Sequence, residues 1–261
     1  MGDTRTLRIY RGGRGRGGEL TGELKEYTVA AGEGMVVLDA VHRIQAEQAP
    51  DLAVRWNCKA GKCGSCSAEI NGRPKLMCMT RLSDYPADQP ITVTPMKAFP
   101  VIKDLVTDVS WNYEVSKRIP YFKPRAPDFP DGTWRMYQYE VERPQEFRKC
   151  IECFLCQDVC HVLRTHEKHA EFMGPAYLVR AAVYETHPLD EEDRRRYLRD
   201  EGGIGYCNIT KCCTEVCPES ITITDNAIIP LKERVVDSHY DPLAALWRKV
   251  TGKGEGGRGK G

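Results

Sequence analysis

The chain has 261 residues, 41% of them apolar and 29% charged, so it can bury a core in one or two domains and is too apolar for a disordered protein. Its 38 basic and 37 acidic residues leave a net charge of +1, which gives no support for nucleic-acid binding. No apolar run approaches the roughly 18 residues of a membrane span, and we expect no secretory leader near Met1.

The N-terminal region predicts a small β-rich domain. Residues 7–10 and 27–29 have the composition of strands, and the glycine-rich residues 12–18 between them predict a flexible turn. Apolar residues at helical spacing predict a helix over residues 37–44.

The first group of cysteines follows this helix and has the spacing C-x4-C-x2-C with a later fourth cysteine, which is typical of plant-type [2Fe–2S] ferredoxins. Gly61 and Gly64 let the loop approach an inorganic core closely. Residues 67–79 predict a hairpin that carries the last cysteine back to the loop. Zinc remains an alternative, although this spacing suits it poorly. The predicted [2Fe–2S] ligands are Cys58, Cys63, Cys66 and Cys78.

We expect a domain boundary at 112/113, with residues 1–112 forming a β-grasp plant-type ferredoxin domain and residues 113–261 a mainly α-helical, bacterial-ferredoxin-like domain. Residues 95–108 predict a helix that joins the two. Helices are predicted at 177–184 and 194–198, and the charge-dense residues 190–200 predict a solvated helix or a subunit surface. The fold class is therefore α+β.

The second and third cysteine groups predict two further clusters. The second group has the C-x2-C-x2-C-x3-C spacing of bacterial ferredoxins, in which the fourth cysteine binds the neighbouring cluster. The same template laid on the third group has a threonine, Thr210, in one ligand position. The predicted [4Fe–4S] ligands are Cys150, Cys153, Cys156 and Cys217. The three thiols left for the last site, which predict a [3Fe–4S] cluster, are Cys160, Cys207 and Cys213.

This assignment leaves Cys212 over. We expect its side chain to point away from the cluster as a small buried hydrophobe; the alternative is that it completes a second [4Fe–4S] cluster. Six disulfides are a further alternative for twelve cysteines, but three tight groups favour metal ligation in a reducing compartment.

Three one-electron centres and no nucleotide-binding or nucleophile–base motif predict an electron carrier with a partner at each end. The combination of domains resembles the iron–sulfur subunit of succinate dehydrogenase and fumarate reductase, complex II. Arg55, Cys63-Gly-Ser-Cys66, Ile70-Asn-Gly72 and residues 95–108 also look like that family.

The resemblance implies a flavoprotein subunit with covalent FAD, a membrane-anchor subunit and quinone as partners. Electrons would pass from flavin through [2Fe–2S], [4Fe–4S] and [3Fe–4S] to quinone, with the catalytic acid and base on the other subunit. The chain would lie peripherally on the cytoplasmic face of a bacterial membrane.

The sequence departs from the family at the quinone site. Where many members have Pro, Trp and His, this chain has His161, Thr165 and Asn208, so we expect a divergent anchor subunit or a different approach of quinone. His161, His166 and His169 are interpreted as ordinary polar residues of a helix, with replacement ligands or proton carriers as the alternative.

Two other functions remain open. One is the iron–sulfur subunit of another fumarate or 2-hydroxyacid oxidoreductase, for example one with a thiol as electron donor. The other is a zinc-stabilised module whose Gly-Arg segments bind RNA. The Gly/Lys-rich residues 251–261 are expected to be flexible and solvated, and no nucleic-acid partner is expected.

Overall fold

The computed structural model describes residues 4–14 and 20–240. The predicted flexible tail at 251–261 lies outside the described residues, as do residues 15–18 of the predicted glycine-rich turn. The predicted boundary at 112/113 stays a prediction.

The N-terminal part is a mixed sheet with one helix, α1 (Val37–Glu47). The strands of the described residues are β1 (Thr4–Arg14), β2 (Leu20–Ala30), β3 (Ser67–Ile70), β4 (Arg73–Leu76), β5 (Ile91–Thr94), β6 (Val101–Lys103) and β7 (Val106–Thr107). Their spatial order is β4-β3-β5-β1-β6-β7, and β2 pairs with β1 along its whole length. β1 and β5 are parallel, whereas β3 and β4 form the expected antiparallel hairpin.

α1 covers the sheet because its apolar residues recur at helical spacing. Its buried face consists of Val37, Leu38, Ala40, Val41 and Ile44, which pack with the inward residues of β1 and β5 into one core. The predicted helix at 37–44 is thus confirmed, and both predicted N-terminal strands lie within longer ones.

The predicted helix at 95–108 is wrong, because this stretch contains β6 and β7. Pro100 removes a backbone donor that a helix needs, and the turn between the strands places Asp104 at φ 50°. The Asp104 carboxylate accepts the backbone N–H groups of Gly12 and Ala53 at 2.9 and 2.8 Å. These tertiary bonds fix the turn and hold β6 beside the end of β1.

The C-terminal part is helical, as predicted. Its helices within the described residues are α2 (Ser110–Arg118), α3 (Gln138–Arg148), α4 (Leu155–Asp158), α5 (His161–Arg164), α6 (Pro175–Glu185), α7 (Arg195–Asp200), α8 (Cys212–Glu215) and α9 (Ile229–Tyr240). A six-residue π-helical segment, Ile223–Ile228, leads into α9. The α+β fold, with a ferredoxin-like sheet domain before a helical one, is therefore confirmed.

Two expectations for this part need correction. The charged stretch at 190–200 is not simply solvated, because Arg194 is fully buried and pairs with Asp190 at 2.6 Å. The helix expected to carry three histidines ends at Arg164, and the ring of His169 instead donates a hydrogen bond to the carbonyl of Ala98.

Each hydrophobic core includes residues from the other part of the chain. Met96, Ala98 and Phe99 pack into the helical core, while Cys153 and Leu155 pack into the core of the sheet. The two parts are therefore in direct contact. None of the helices in residues 4–14 and 20–240 is both long and apolar enough to span a bilayer.

Candidate metal centres

The first cysteine loop presents backbone N–H groups to its sulfurs. The N–H groups of Ala60 and Lys62 approach Cys58 Sγ at 3.4 and 3.3 Å. Although burial raises the pKa of Cys63, hydrogen bonds from the backbone of Cys58 and from Ser65 lower it to about 7. A loop that stabilises sulfur as thiolate in this way suits iron–sulfur ligation.

The other two thiols of this group lie deeper. Cys66 and Cys78 are buried, and burial raises the pKa of Cys66 to about 12. The Cys78 N–H approaches Cys66 Sγ at 3.5 Å, so the hairpin of β3 and β4 returns Cys78 to the loop as predicted. Cys58, in contrast, is exposed, which leaves one edge of this site at the surface.

The second and third cysteine runs follow the same backbone path. In the second run Glu152 and Phe154 have φ of 53° and 62°, and at the matching places of the third run Ile209 and Lys211 have φ of 59° and 61°. Each run then enters a four-residue helix, α4 or α8. The left-handed conformation is rare for such side chains, so its repetition marks two copies of one cluster-binding loop.

The structure brings together the four thiols predicted for the [4Fe–4S] site. Burial raises the pKa of Cys153 to about 12, and the negative charges of Cys150 and Cys217 add to this effect. Burial also raises the pKa of Cys156, with the charges of Cys153, Cys150, Cys213 and Cys217 contributing. Cys217, from the third run, therefore lies with the second-run cysteines, and its Sγ receives the N–H of Ile221 at 3.4 Å.

The remaining thiols also act on one another. Burial raises the pKa of both Cys160 and Cys213 to about 11; the charges of Cys212 and Cys213 contribute at Cys160, and those of Cys212 and Cys207 at Cys213. Cys213 Sγ also lies 3.4 Å from Thr224 Oγ1.

The expected burial of Cys212 is wrong. Its side chain is half-buried, and its Sγ lies 3.3 Å from the hydroxyl of Thr210, the residue in the open ligand position. That it points away from the cluster stays a prediction.

Comparisons with known proteins identify two iron–sulfur domains. Residues 6–114 match the family described as "2Fe-2S iron-sulfur cluster binding domain", and residues 146–221 match "4Fe-4S dicluster domain". The chain is 34% identical over 202 residues to a fumarate reductase iron-sulfur subunit of Mycobacterium tuberculosis, which covers 75% of this chain and 79% of the relative. It is 32% identical over 190 residues to the succinate dehydrogenase iron-sulfur subunit of Bacillus subtilis, covering 69% and 71%.

A solved structure adds the fold. A chain of the Mycobacterium smegmatis Sdh1 complex in the apo form is 60% identical, with a TM-score of 0.88, and the match covers 93% of this chain and all of that one (100%). The chain belongs to the family of succinate dehydrogenase and fumarate reductase iron–sulfur subunits. It is a subunit of an oxidoreductase complex and transfers electrons through iron–sulfur clusters. The zinc-stabilised RNA module is not supported. Among residues 4–14 and 20–240, no three His, Cys, Asp or Glu side chains converge on a single-ion site.

In this iron–sulfur subunit the first loop touches the second directly. A Cβ placed on Gly64, which has φ +67°, would lie 2.4 Å from the Cα of Cys153. Ser67 donates its hydroxyl to the Cys153 carbonyl at 2.8 Å in the buried interface. The two cluster-binding loops are thus in direct backbone contact, and no side chain lies between Gly64 and Cys153.

Charged pairs join the same two parts of the subunit, and sequence reasoning missed them. Glu69 on β3 is fully buried and pairs with Arg164 at 2.7 Å and with Lys97 at 3.1 Å. At the surface Lys62 of the first loop pairs with Glu219 at 2.9 Å. The sequence did contain a signal for the buried pair: a single acidic residue in the otherwise uncharged strand Ser67–Ile70. A charged side chain that is buried needs a partner of opposite charge.

Proposed function

We propose that this chain carries electrons from the FAD of a flavoprotein subunit, where succinate and fumarate interconvert, to quinone at a membrane-anchor subunit. The route passes through [2Fe–2S], then [4Fe–4S], then [3Fe–4S]. The chain is held peripherally on the cytoplasmic face of the membrane by the anchor subunit. Each cluster, when bound, accepts and passes on one electron at a time.

The gradient of exposure along the three sites carries this proposal. At the first site Cys58 is exposed, and Trp56 and Met79 beside it are 48% and 59% exposed. At the middle site no thiol is exposed: Cys153 and Cys156 are both 8% exposed, and Cys150 and Cys217 are half-buried. At the third site residues 208–211 are exposed again. A carrier that takes electrons from one protein and gives them to another needs two surface ends and a shielded middle.

We propose three sets of cluster ligands. The first set is Cys58, Cys63, Cys66 and Cys78; the second is Cys150, Cys153, Cys156 and Cys217; and the third is Cys160, Cys207 and Cys213. Their backbone N–H contacts hold the thiolates in place and tune the reduction potentials.

Exposed apolar side chains at the first edge support docking of a partner there. Trp56 packs edge-to-face on His42 at 4.8 Å, and Lys59 Nζ lies 5.0 Å from the same indole ring. Aromatic residues held in this way are typical anchors of protein interfaces. We assign this edge to the flavoprotein subunit.

The third edge faces the anchor subunit in this proposal. His161, Thr165 and Asn208, which replace the family's usual quinone-site residues, are all exposed there. Neither an apolar wall nor a buried donor is formed by these three side chains. Their exposure supports an anchor subunit that supplies the quinone pocket from its own residues.

The test is purification of the tagged chain from membranes without dissociating its partners. We expect a flavin-containing partner and an anchor subunit to copurify, and succinate to reduce the clusters as followed by electron paramagnetic resonance (EPR). Variant Cys58→Ser should alter only the [2Fe–2S] signal, while Cys156→Ser should alter only the [4Fe–4S] signal. Recovery of the chain without a flavin partner, or with zinc in place of iron and sulfide, contradicts the proposal.

A further inference from the structure

The third site has an open ligand position that the backbone identifies. Because Ile209 and Lys211 repeat the left-handed conformations of Glu152 and Phe154, Thr210 occupies the place that Cys153 has in the second run. A hydroxyl therefore replaces a thiol at that corner, and Thr210 is exposed.

Cys212 lies where a replacement thiol is needed. At the matching place of the second run, Leu155 is 1% exposed and belongs to the apolar core. Cys212 does not follow it into a core; it is half-buried, and its Sγ contacts Thr210 Oγ1 at 3.3 Å. Cys212 also directly precedes Cys213, a proposed ligand of the third site.

We infer that Cys212 binds a fourth iron at the corner left open by Thr210, so that the third site takes up and releases one iron. This inference rests on the proposed function, because it presupposes a trinuclear cluster on Cys160, Cys207 and Cys213. The ferrous ion reaches the corner from solvent, since Thr210 and its neighbours are exposed.

The uptake balances in charge and atoms. One electron from an added reductant first takes the oxidised trinuclear cluster to its neutral form. The ferrous ion then joins the cluster, the Cys212 thiol loses its proton to solvent, and the resulting thiolate forms the new iron–sulfur bond. After oxidation a chelator removes the ion. The bond between the iron and the Cys212 sulfur then breaks, and the thiolate takes up a proton from solvent to become a thiol again. A thiolate is the ligand that iron–sulfur clusters prefer, so Cys212 and not Thr210 supplies it.

The experiment uses the intact complex and two readouts besides activity: iron content and the EPR signal of the oxidised trinuclear cluster. The complex is reduced anaerobically, incubated with ferrous ion, freed of excess iron, and reoxidised mildly. We expect the wild type to gain one iron per chain and lose most of the trinuclear signal, and a chelator to restore that signal. A wild type that holds the fourth iron as purified, while Cys212→Ala shows the trinuclear signal, supports the inference equally.

Three variants complete the design. Cys212→Ala should keep the trinuclear signal and gain no iron, whereas Thr210→Val, which removes the hydroxyl alone, should still take up iron. Thr210→Cys is the positive control, because it restores the template and should hold four irons without added metal. Uptake by Cys212→Ala equal to that of the wild type overturns the inference, as does a wild type that shows the trinuclear signal as purified and keeps both that signal and its iron content unchanged after incubation with ferrous ion. Absence of the third cluster from every variant contradicts the proposed function itself.

Discussion

Substitution of Gly64 by alanine tests the contact between the first two cluster-binding loops. Gly64 has φ +67°, so alanine there meets backbone strain of about 1–2 kcal/mol. Its Cβ would lie 2.4 Å from Cys153 Cα and 2.8 Å from Cys153 Cβ, where ordinary contact begins at 3.4 Å. These are atoms of a proposed cluster ligand on an enclosed loop, so they have little room to move. We expect the two loops to separate.

The expected cost exceeds that of strain. Separating the loops forfeits close packing, for which overpacked sites typically lose about 1–3 kcal/mol. It also stretches the 2.8 Å hydrogen bond from Ser67 to the Cys153 carbonyl, worth about 1 kcal/mol. Gly64→Ala should therefore destabilise the subunit by about 3–6 kcal/mol in total.

Gly72→Ala is the matched control. Gly72 has a similar φ, +77°, in the turn between β3 and β4, and an added Cβ would meet no atom within 4 Å. It has the strain without the clash, so it should cost only about 1–2 kcal/mol. The assay is the temperature at which the visible absorbance of the clusters is lost from the purified complex. Since 1 kcal/mol corresponds to roughly 2–4 °C in a chain of this size, Gly64→Ala should fall about 5–10 °C below Gly72→Ala. Equal transition temperatures for the two variants would refute the reasoning.

Three further variants probe the same interface and the linker. Ser67→Ala removes a donor from the buried Cys153 carbonyl, so the thermal transition should fall by an amount that corresponds to about 1–3 kcal/mol; an unchanged transition contradicts this. Glu69→Gln leaves Arg164 without its buried anion and should cost about 3–5 kcal/mol in the same assay, and a loss below about 1 kcal/mol, as at exposed pairs, would show that the pair is not effectively buried. The guanidinium of Arg194 binds two backbone carbonyls of the linker, residues 119–137 between α2 and α3, at 2.8 and 2.7 Å. The ammonium group of Arg194→Lys cannot bind both, so limited proteolysis between residues 119 and 137 should become faster. An unchanged cleavage rate counts against this role.

The cluster-binding regions were predictable because the proposed ligands fall in three short groups with recognisable spacing. Spacing alone indicated three sites, and the template with Thr210 in one position agrees with the repeated left-handed residues of the second and third runs. The hairpin that returns Cys78 was predictable for a similar reason, since Asn71-Gly72 is a strong local turn signal.

The connecting region was not predictable in this way. Residues 95–108 were predicted as a helix, yet the turn at Asp104 is set by hydrogen bonds to Gly12 and Ala53, which are distant in sequence. Likewise the charges around Arg194 were interpreted as a solvated surface, because sequence does not show that two linker carbonyls and Asp190 enclose the guanidinium. Tertiary contacts outweighed the local pattern in both cases.

The interface explains why one chain carries all these sites. Domains joined by a linker usually move relative to each other, unless their interface is large and apolar. Here Phe99 packs in the helical core and Leu155 in the core of the sheet, and the buried Glu69 pairs with Arg164 across the boundary. Movement that separated Arg164 from the buried carboxylate would leave an uncompensated buried charge, at a cost of several kcal/mol. The first two cluster-binding loops are thus held at a constant separation, so partners can dock at the two exposed ends without disturbing the path between them.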